Sequence, residues 1–284
     1  MEVQAEVLPE VLVEVPSDPL PREAPLPLLT PEFRHAQSVD IHEELSLSIQ
    51  SIRRQELITR VNQKKIAKDQ DITGLKLWDF GLEFARYLAA RPSFFTNKTI
   101  MELGAGCGTL SLALAATATG AVSFTVTDAA EDALGLIRAN VALNQNKLVA
   151  NVNVTKCWWT VEETETPVLP VDVVLGTDLL YHLTTVEALF ATAARSLKDD
   201  GGIFFLGGMS RYYGTIASMR ETAGKLNLIL RYVSLRQMHI PYCDGMFLAI
   251  IAQDESFIAP VIQALDLHID ATVSDDFEEK GSDY

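Results

Sequence analysis

From residue 99 onward, short apolar runs alternate with longer segments of helical spacing. The runs are TIMELG (99–104), VSFTVTD (122–128), VNVTKCW (152–158), VDVVLG (171–176) and GIFFLGG (202–208). Helices are predicted between them over about 109–117, 131–144 and 184–197. The runs are nearly continuous in Val, Ile, Leu and Phe, the pattern of strands covered on both faces. A doubly wound α/β fold follows, with a mostly parallel sheet and helices on both sides. A helix near 212–226, a strand near 228–235 and a closing strand, MFLAIIAQ (246–253), complete the series. Ahead of it, LSLSIQSI (45–52) alternates apolar and polar residues like a half-buried strand. WDFGLEFARYLAA (78–90) has helical spacing and stops before Pro92.

A chain of 284 residues with 48% hydrophobic content can bury one substantial core. The charge is uneven. Of the net −15, residues 1–32 carry −6 and the last ten −4, leaving only −5 for the rest. Seven of the twelve prolines fall in residues 1–31, without sustained periodicity. The expected organisation is a disordered, acidic, Pro-rich leader (1–38), one folded domain (39–274) and an acidic tail (275–284), with VLVEV able to dock on a sheet edge. A mildly acidic body lacks the basic footprint that phosphate contacts need, which argues against nucleic acid as a partner. No run approaches the length of a membrane span, and the acidic start differs from a secretory or mitochondrial leader. The expected address is therefore cytoplasm or nucleus, and the expected state a monomer. Cys107, Cys157 and Cys243 have neither disulfide-framework parity nor zinc-site spacing.

The strongest local signal is ELGAGCGTLSLALA (102–115). Gly104, Gly106 and Gly108 make a GxGxG turn after one strand and before a helix, where backbone can approach a ligand closely. Asp128 ends the next strand, where a carboxylate can accept two hydrogen bonds from ribose hydroxyls. Together they describe a nucleoside-binding unit. A dinucleotide fingerprint reads GxGxxG, but here the third glycine comes one residue early, before Thr109. Glu102, two residues before the first glycine, can receive a ligand ammonium, directly or through water, or cap loop amides at the strand end.

The segment Glu102–Gly108 resembles the first motif of the seven-stranded S-adenosylmethionine-dependent methyltransferases. LKLWD (75–79), CWWT (157–160) and TDLLY (177–181) narrow this. Over about 45–253 the chain is similar to the lysine methyltransferases that carry D-x-x-Y after the fourth strand and modify non-histone proteins such as chaperones, elongation factors and calmodulin. The resemblance implies a Rossmann-like seven-stranded sheet with a short N-terminal β extension. It also implies S-adenosylmethionine as cofactor and a protein substrate such as a chaperone or translation factor. By the same resemblance Trp78 packs beside the cofactor, Gly104, Ala105 and Gly106 approach its methionine part, Asp128 holds the ribose, and Thr177 lines the adenine pocket. The family has one tryptophan after the third strand. Here there are two, Trp158 and Trp159, and aligning Val154 and Cys157 with the family's apolar positions favours Trp159. Plain core packing is the alternative for all three tryptophans, Trp78, Trp158 and Trp159.

In the same fold, the loop after the fourth strand lies beside the reactive end of the cofactor. Asp178 is then placed to orient an incoming ammonium, and Tyr181 to wall the transfer channel with a face that tolerates an onium charge. Methyltransferases acting on adenine or glutamine amides carry N-P-P-Y or a close variant here. DLLY keeps the aromatic but lacks both prolines, which favours a flexible lysine over a flat target. His182 reads as a surface residue; Arg211, Tyr212 and Tyr213 read as an acceptor entrance or a helix start. Three alternatives stay open: a small-molecule N- or O-methyltransferase, a nicotinamide-dependent oxidoreductase on the same nucleoside fold, and a catalytically silent cofactor-binding adaptor, against which the intact motifs weigh.

Overall fold

A computed structural model of the chain describes residues 34–53, 73–162, 170–210, 212, 214–238 and 245–273. The strands β1 (His35–His42) and β2 (Leu45–Ser51) form an antiparallel hairpin. Helix α1 (Asp79–Ala89), strand β3 (Thr99–Glu102), helix α2 (Thr109–Thr117), strand β4 (Ser123–Asp128), helix α3 (Glu131–Asn144) and strand β5 (Val152–Lys156) follow. Then come β6 (Val173–Thr177), α4 (Val186–Ser196), β7 (Ile203–Met209), α5 (Thr215–Lys225), β8 (Ile229–Tyr232), β9 (Met246–Ala252) and α6 (Glu255–Ala264).

The sheet has seven strands in the order β5-β4-β3-β6-β7-β9-β8. All run parallel except β9, which pairs antiparallel with both β7 and β8. Alternate residues of the central strands enter two separate cores, which explains why their sequences are continuously apolar. Leu175, Phe205 and Ile250 join Phe84 and Leu88 of α1, Leu112 of α2 and Ile258 of α6 on one face. Val174, Phe204 and Ile251 join Leu189 and Phe190 of α4 and Ile216 and Met219 of α5 on the other. Helix α2 has buried residues from Thr109 through Ala115, so it is wrapped by protein rather than amphipathic.

The strand order reverses between β3 and β6. At such a switch point the loops leave in opposite directions and a crevice opens beyond the carboxyl ends of the strands. Here those ends are Glu102 and Thr177. The glycine turn and the DLLY turn therefore flank one crevice, a consequence of topology.

Two features differ from the sequence expectation. Strand β1 begins at His35, four residues inside the segment 1–38 assigned to the leader. Its alternating burial is supplied by pairing with β2, which the polar sequence HAQSVDIH does not announce. Helix α6 lies beyond the last element expected from sequence, and Pro260 lies inside it. Asp254 starts that helix by accepting a hydrogen bond from the Ser256 amide at 2.8 Å. Residues 1–33, including VLVEV, and residues 274–284 lie outside the described residues, as do Arg211 and Tyr213.

Candidate active site

The crevice is a cleft of about 1420 Å³. The glycine turn contributes Glu102, Gly104, Ala105 and Gly106 to its lining, and Asp128 comes from the end of β4. Trp78 comes from the start of α1, Trp159 from beyond β5, and Thr177, Asp178 and Tyr181 from the β6 exit. All ten residues singled out from sequence therefore face one space.

The turn is held by the acid at the end of β4. The amide of Gly106 donates to Asp128 Oδ2 at 3.0 Å, and the amide of Ala130 donates to Oδ1 at 2.9 Å. These bonds use one lone pair on each oxygen of a carboxylate with about four acceptor sites. Gly104 has φ +60°, and a Cβ there would lie 2.6 Å from Leu179 Cδ2 and 2.9 Å from Trp159 Cζ2. A Cβ at Gly106 would meet the Gly74 carbonyl at 2.8 Å. Close packing by protein, as much as room for a ligand, demands these glycines.

Glu102 is buried, at 3% exposure. Its Oε2 accepts from the Ser111 amide at 3.0 Å, satisfying an otherwise orphaned donor in the first turn of α2. Burial pushes its carboxyl up to about 7; the bonds from Ser111 pull the other way, and the Asp128 charge adds to the rise. The capping role is thus present in the geometry, and the carboxyl still borders the cleft. Burial also pushes the Cys107 thiol up to about 12, so it is no nucleophile at neutral pH.

The two adjacent tryptophans separate clearly. Trp158 is 65% exposed, with the Lys156 ammonium 5.6 Å from its ring centroid and Lys156 paired to Glu131 at 2.9 Å. Trp159 is half-buried, packs against the core on the α4–α5 side of the sheet and touches the glycine turn. Both border the cleft, Trp158 at its rim.

The DLLY turn is seated by the neighbouring strand. The Asp178 amide continues the sheet ladder by donating to the Gly207 carbonyl at 2.8 Å, and Asp178 itself adopts φ +56°. Left-handed backbone outside glycine is uncommon and clusters at functional turns. Gly208, at φ +147°, makes room: a Cβ there would stand 2.9 Å from the Asp178 backbone. The Tyr181 ring meets His182 edge-on at 5.3 Å, and His182 stacks against Tyr212 at 6.3 Å. His182 is exposed, as expected, and Tyr212 is 45% exposed outside the cleft lining.

Sequence reasoning missed the turn Thr73–Leu75, which lines the cleft and packs on Gly106. The Trp78 indole donates to the Thr73 carbonyl at 3.0 Å, and the Lys76 ammonium lies 3.9 Å from the Trp78 ring centroid. The LKLWD motif marked the neighbourhood, but nothing in Thr73–Gly74 signals a contact with a loop some 30 residues away.

A family model described as lysine methyltransferase matches residues 60–212, more than half of the chain. The chain belongs to the lysine methyltransferase family. It is similar to the protein-lysine N-methyltransferase EFM3 of Chaetomium thermophilum, 27% identical over 141 residues, covering 48% of this chain and 42% of that protein. It is 30% identical over 133 residues to the human protein-lysine N-methyltransferase EEF2KMT, covering 43% of this chain and 40% of that one. The matches thus span about two fifths of these relatives' lengths. Among solved structures, SMU.776, determined with S-adenosylhomocysteine bound, aligns with a TM-score of 0.52 at 13% identity, over 76% of this chain and 55% of that one. That likeness concerns the fold.

The family's cofactor is S-adenosylmethionine, and the residues present fit it. A buried carboxyl at Glu102 suits an ammonium, the Asp128 carboxylate suits a ribose diol, and the tryptophans suit a planar base. The nicotinamide reading falls with the family assignment.

Proposed function

We propose that the chain is an S-adenosylmethionine-dependent protein-lysine N-methyltransferase acting on a non-histone protein. The observation that carries this reading is the shared cleft: Asp178 and Tyr181 border the same space as the glycine turn and Asp128. The cofactor supplies an electrophilic methyl group on a sulfonium. The remaining task is to present a neutral amine in line with it. Deprotonating a lysine of ordinary pKa about 10.4 at pH 7 costs about 4.6 kcal/mol. Positioning two reactants can contribute about 7–11 kcal/mol, so the site needs no strong base. Asp178, held by the sheet ladder, orients the incoming ammonium until its proton leaves to water. Tyr181 walls the channel, its ring face accommodating positive charge during transfer.

A protein acceptor, rather than a small molecule, is favoured by the apolar groups around the mouth. Trp158 at the rim is 65% exposed, and Leu183 and Tyr212, beside the Tyr181–His182 pair, are 42% and 45% exposed. A translation factor or chaperone is the acceptor class, the cytoplasm with the nucleus is the compartment, and a monomer is the working form. Incubating the protein and labelled S-adenosylmethionine with an extract of cells lacking it, followed by mass spectrometry, tests the reading. Label on a lysine of a protein band supports it; label confined to small molecules would replace it with small-molecule methylation.

A further inference from the structure

We infer that Asn140 is a positioning residue for the cofactor site, through which the N-terminal hairpin braces the glycine turn. This rests on the methyltransferase reading above. Asn140 lies on α3 and is completely buried. Its Oδ1 accepts from the Gln50 amide at 2.7 Å, and its Nδ2 donates to the Gln50 carbonyl at 3.0 Å and to the Cys107 carbonyl at 2.9 Å. A carboxamide offers the donor and acceptor of a peptide group, so Asn140 extends β2 as a neighbouring strand would. The amide's other proton reaches Cys107, the residue between Gly106 and Gly108.

A second link runs parallel to the first. The Ile52 amide, just past β2, donates to the Leu75 carbonyl at 2.7 Å, and Leu75 belongs to the cleft-lining turn that packs on Gly106. The hairpin thus grips two different cleft segments. The glycine turn needs such support, because Gly104, Gly106 and Gly108 all hold positive φ (60°, 57° and 75°), and glycine brings little conformational restraint of its own. Asp128 fixes the Gly106 amide and Asn140 fixes the carbonyl of the next residue.

Asn144, one helical turn on, provides the internal control. It is equally buried, and it makes the same pair of bonds to β2, with the Ser48 amide and carbonyl, both at 2.8 Å. Its Nδ2 also donates to the Asn140 carbonyl at 2.8 Å rather than to the glycine turn. Both asparagines dock the hairpin, and Asn140 also extends to the turn.

The test compares Asn140→Ala, the milder Asn140→Ser and Asn144→Ala in the full chain. Calorimetry with S-adenosylhomocysteine measures the cofactor site, thermal denaturation measures stability, and hydrogen exchange reads the amides of residues 106–108. We expect both Asn140 variants to weaken binding about five- to tenfold and to speed exchange at the turn. Asn144→Ala should lower Tm as much as Asn140→Ala while leaving affinity within about twofold. Equal weakening by the two alanine variants, or no weakening by the Asn140 variants, overturns the inference. If Asn140→Ala fails to fold, Asn140→Ser decides the same comparison. Failure of the wild-type chain to bind S-adenosylhomocysteine overturns the methyltransferase reading and this inference with it, and is seen before any variant is made.

Discussion

Gly104 and Trp159 pack directly against each other: a Cβ on the first would lie 2.9 Å from Cζ2 of the second. The same Cβ would also require a side-chain residue to hold φ +60°. Gly104→Ala is therefore expected to cost roughly 2–5 kcal/mol, combining left-handed strain with overpacking. S-adenosylhomocysteine affinity should fall by more than about tenfold, because the tryptophan must move. Chemical denaturation and calorimetry check both, and Trp159 fluorescence should shift even in the folded variant.

If Glu102 receives the cofactor's ammonium as proposed, cofactor binding is expected to depend on pH. Its carboxyl sits at about 7, raised by burial, and only the ionised form attracts the ammonium of the cofactor. Affinity for S-adenosylhomocysteine should rise as pH increases from 6 to 8, with proton release on binding, and Glu102→Gln should flatten that rise. Stability runs the opposite way. With a folded value above the ordinary 4.5, the group's contribution is fully present below 4.5 and lost as pH rises through about 7. The loss is on the order of 3 kcal/mol at pH 8, so Glu102→Gln should unfold less readily than wild type at pH 8 in the absence of ligand. A calorimetric pH series reads both effects.

Gly81 is an interior helix residue for a reason outside its helix. A Cβ there would meet Thr177 Oγ1 at 2.9 Å. Gly81→Ala should therefore destabilise by about 1–2 kcal/mol, although alanine is ordinarily favoured in a helix by about 1 kcal/mol. In a Thr177→Ala background the same change should become neutral or stabilising. A double-mutant cycle by denaturant unfolding measures the coupling, and additive effects would contradict the contact.

Asp178 and Tyr181 should separate chemistry from binding. Asparagine tolerates the left-handed backbone that Asp178 adopts, so Asp178→Asn removes charge while keeping the turn. We expect methyl transfer into the acceptor to drop by about 100-fold or more, with S-adenosylhomocysteine affinity within about threefold. Tyr181→Phe should retain more activity than Tyr181→Ala, because the ring face carries its role. Unchanged transfer rates in Asp178→Asn would remove the carboxylate from the mechanism.

Much of this site was legible in the chain because its signals are local. The turn Gly104–Gly108 lies directly between a strand and a helix, and Asp128 closes the next strand; helices 109–117 and 131–144 fall where the apolar spacing puts them. Boundaries failed where pairing or packing with another segment decides the conformation. HAQSVDIH becomes a strand only by pairing with β2, and α6 forms despite Pro260 because its apolar face, with Ile258 and Val261, has a core to enter.

By itself, the sequence determined the class of fold, the nucleoside-binding turn and the DLLY signature, since each is written in residues close together along the chain. Only the tertiary structure decided that Trp159 touches the glycine turn while Trp158 stands at the rim, that Glu102 caps α2, and that Asn140 ties β2 to Cys107. Those outcomes depend on which segments the sheet order and the docking of the N-terminal hairpin bring together. Spacing along one segment carries no information about the burial or hydrogen-bond partners that another segment supplies.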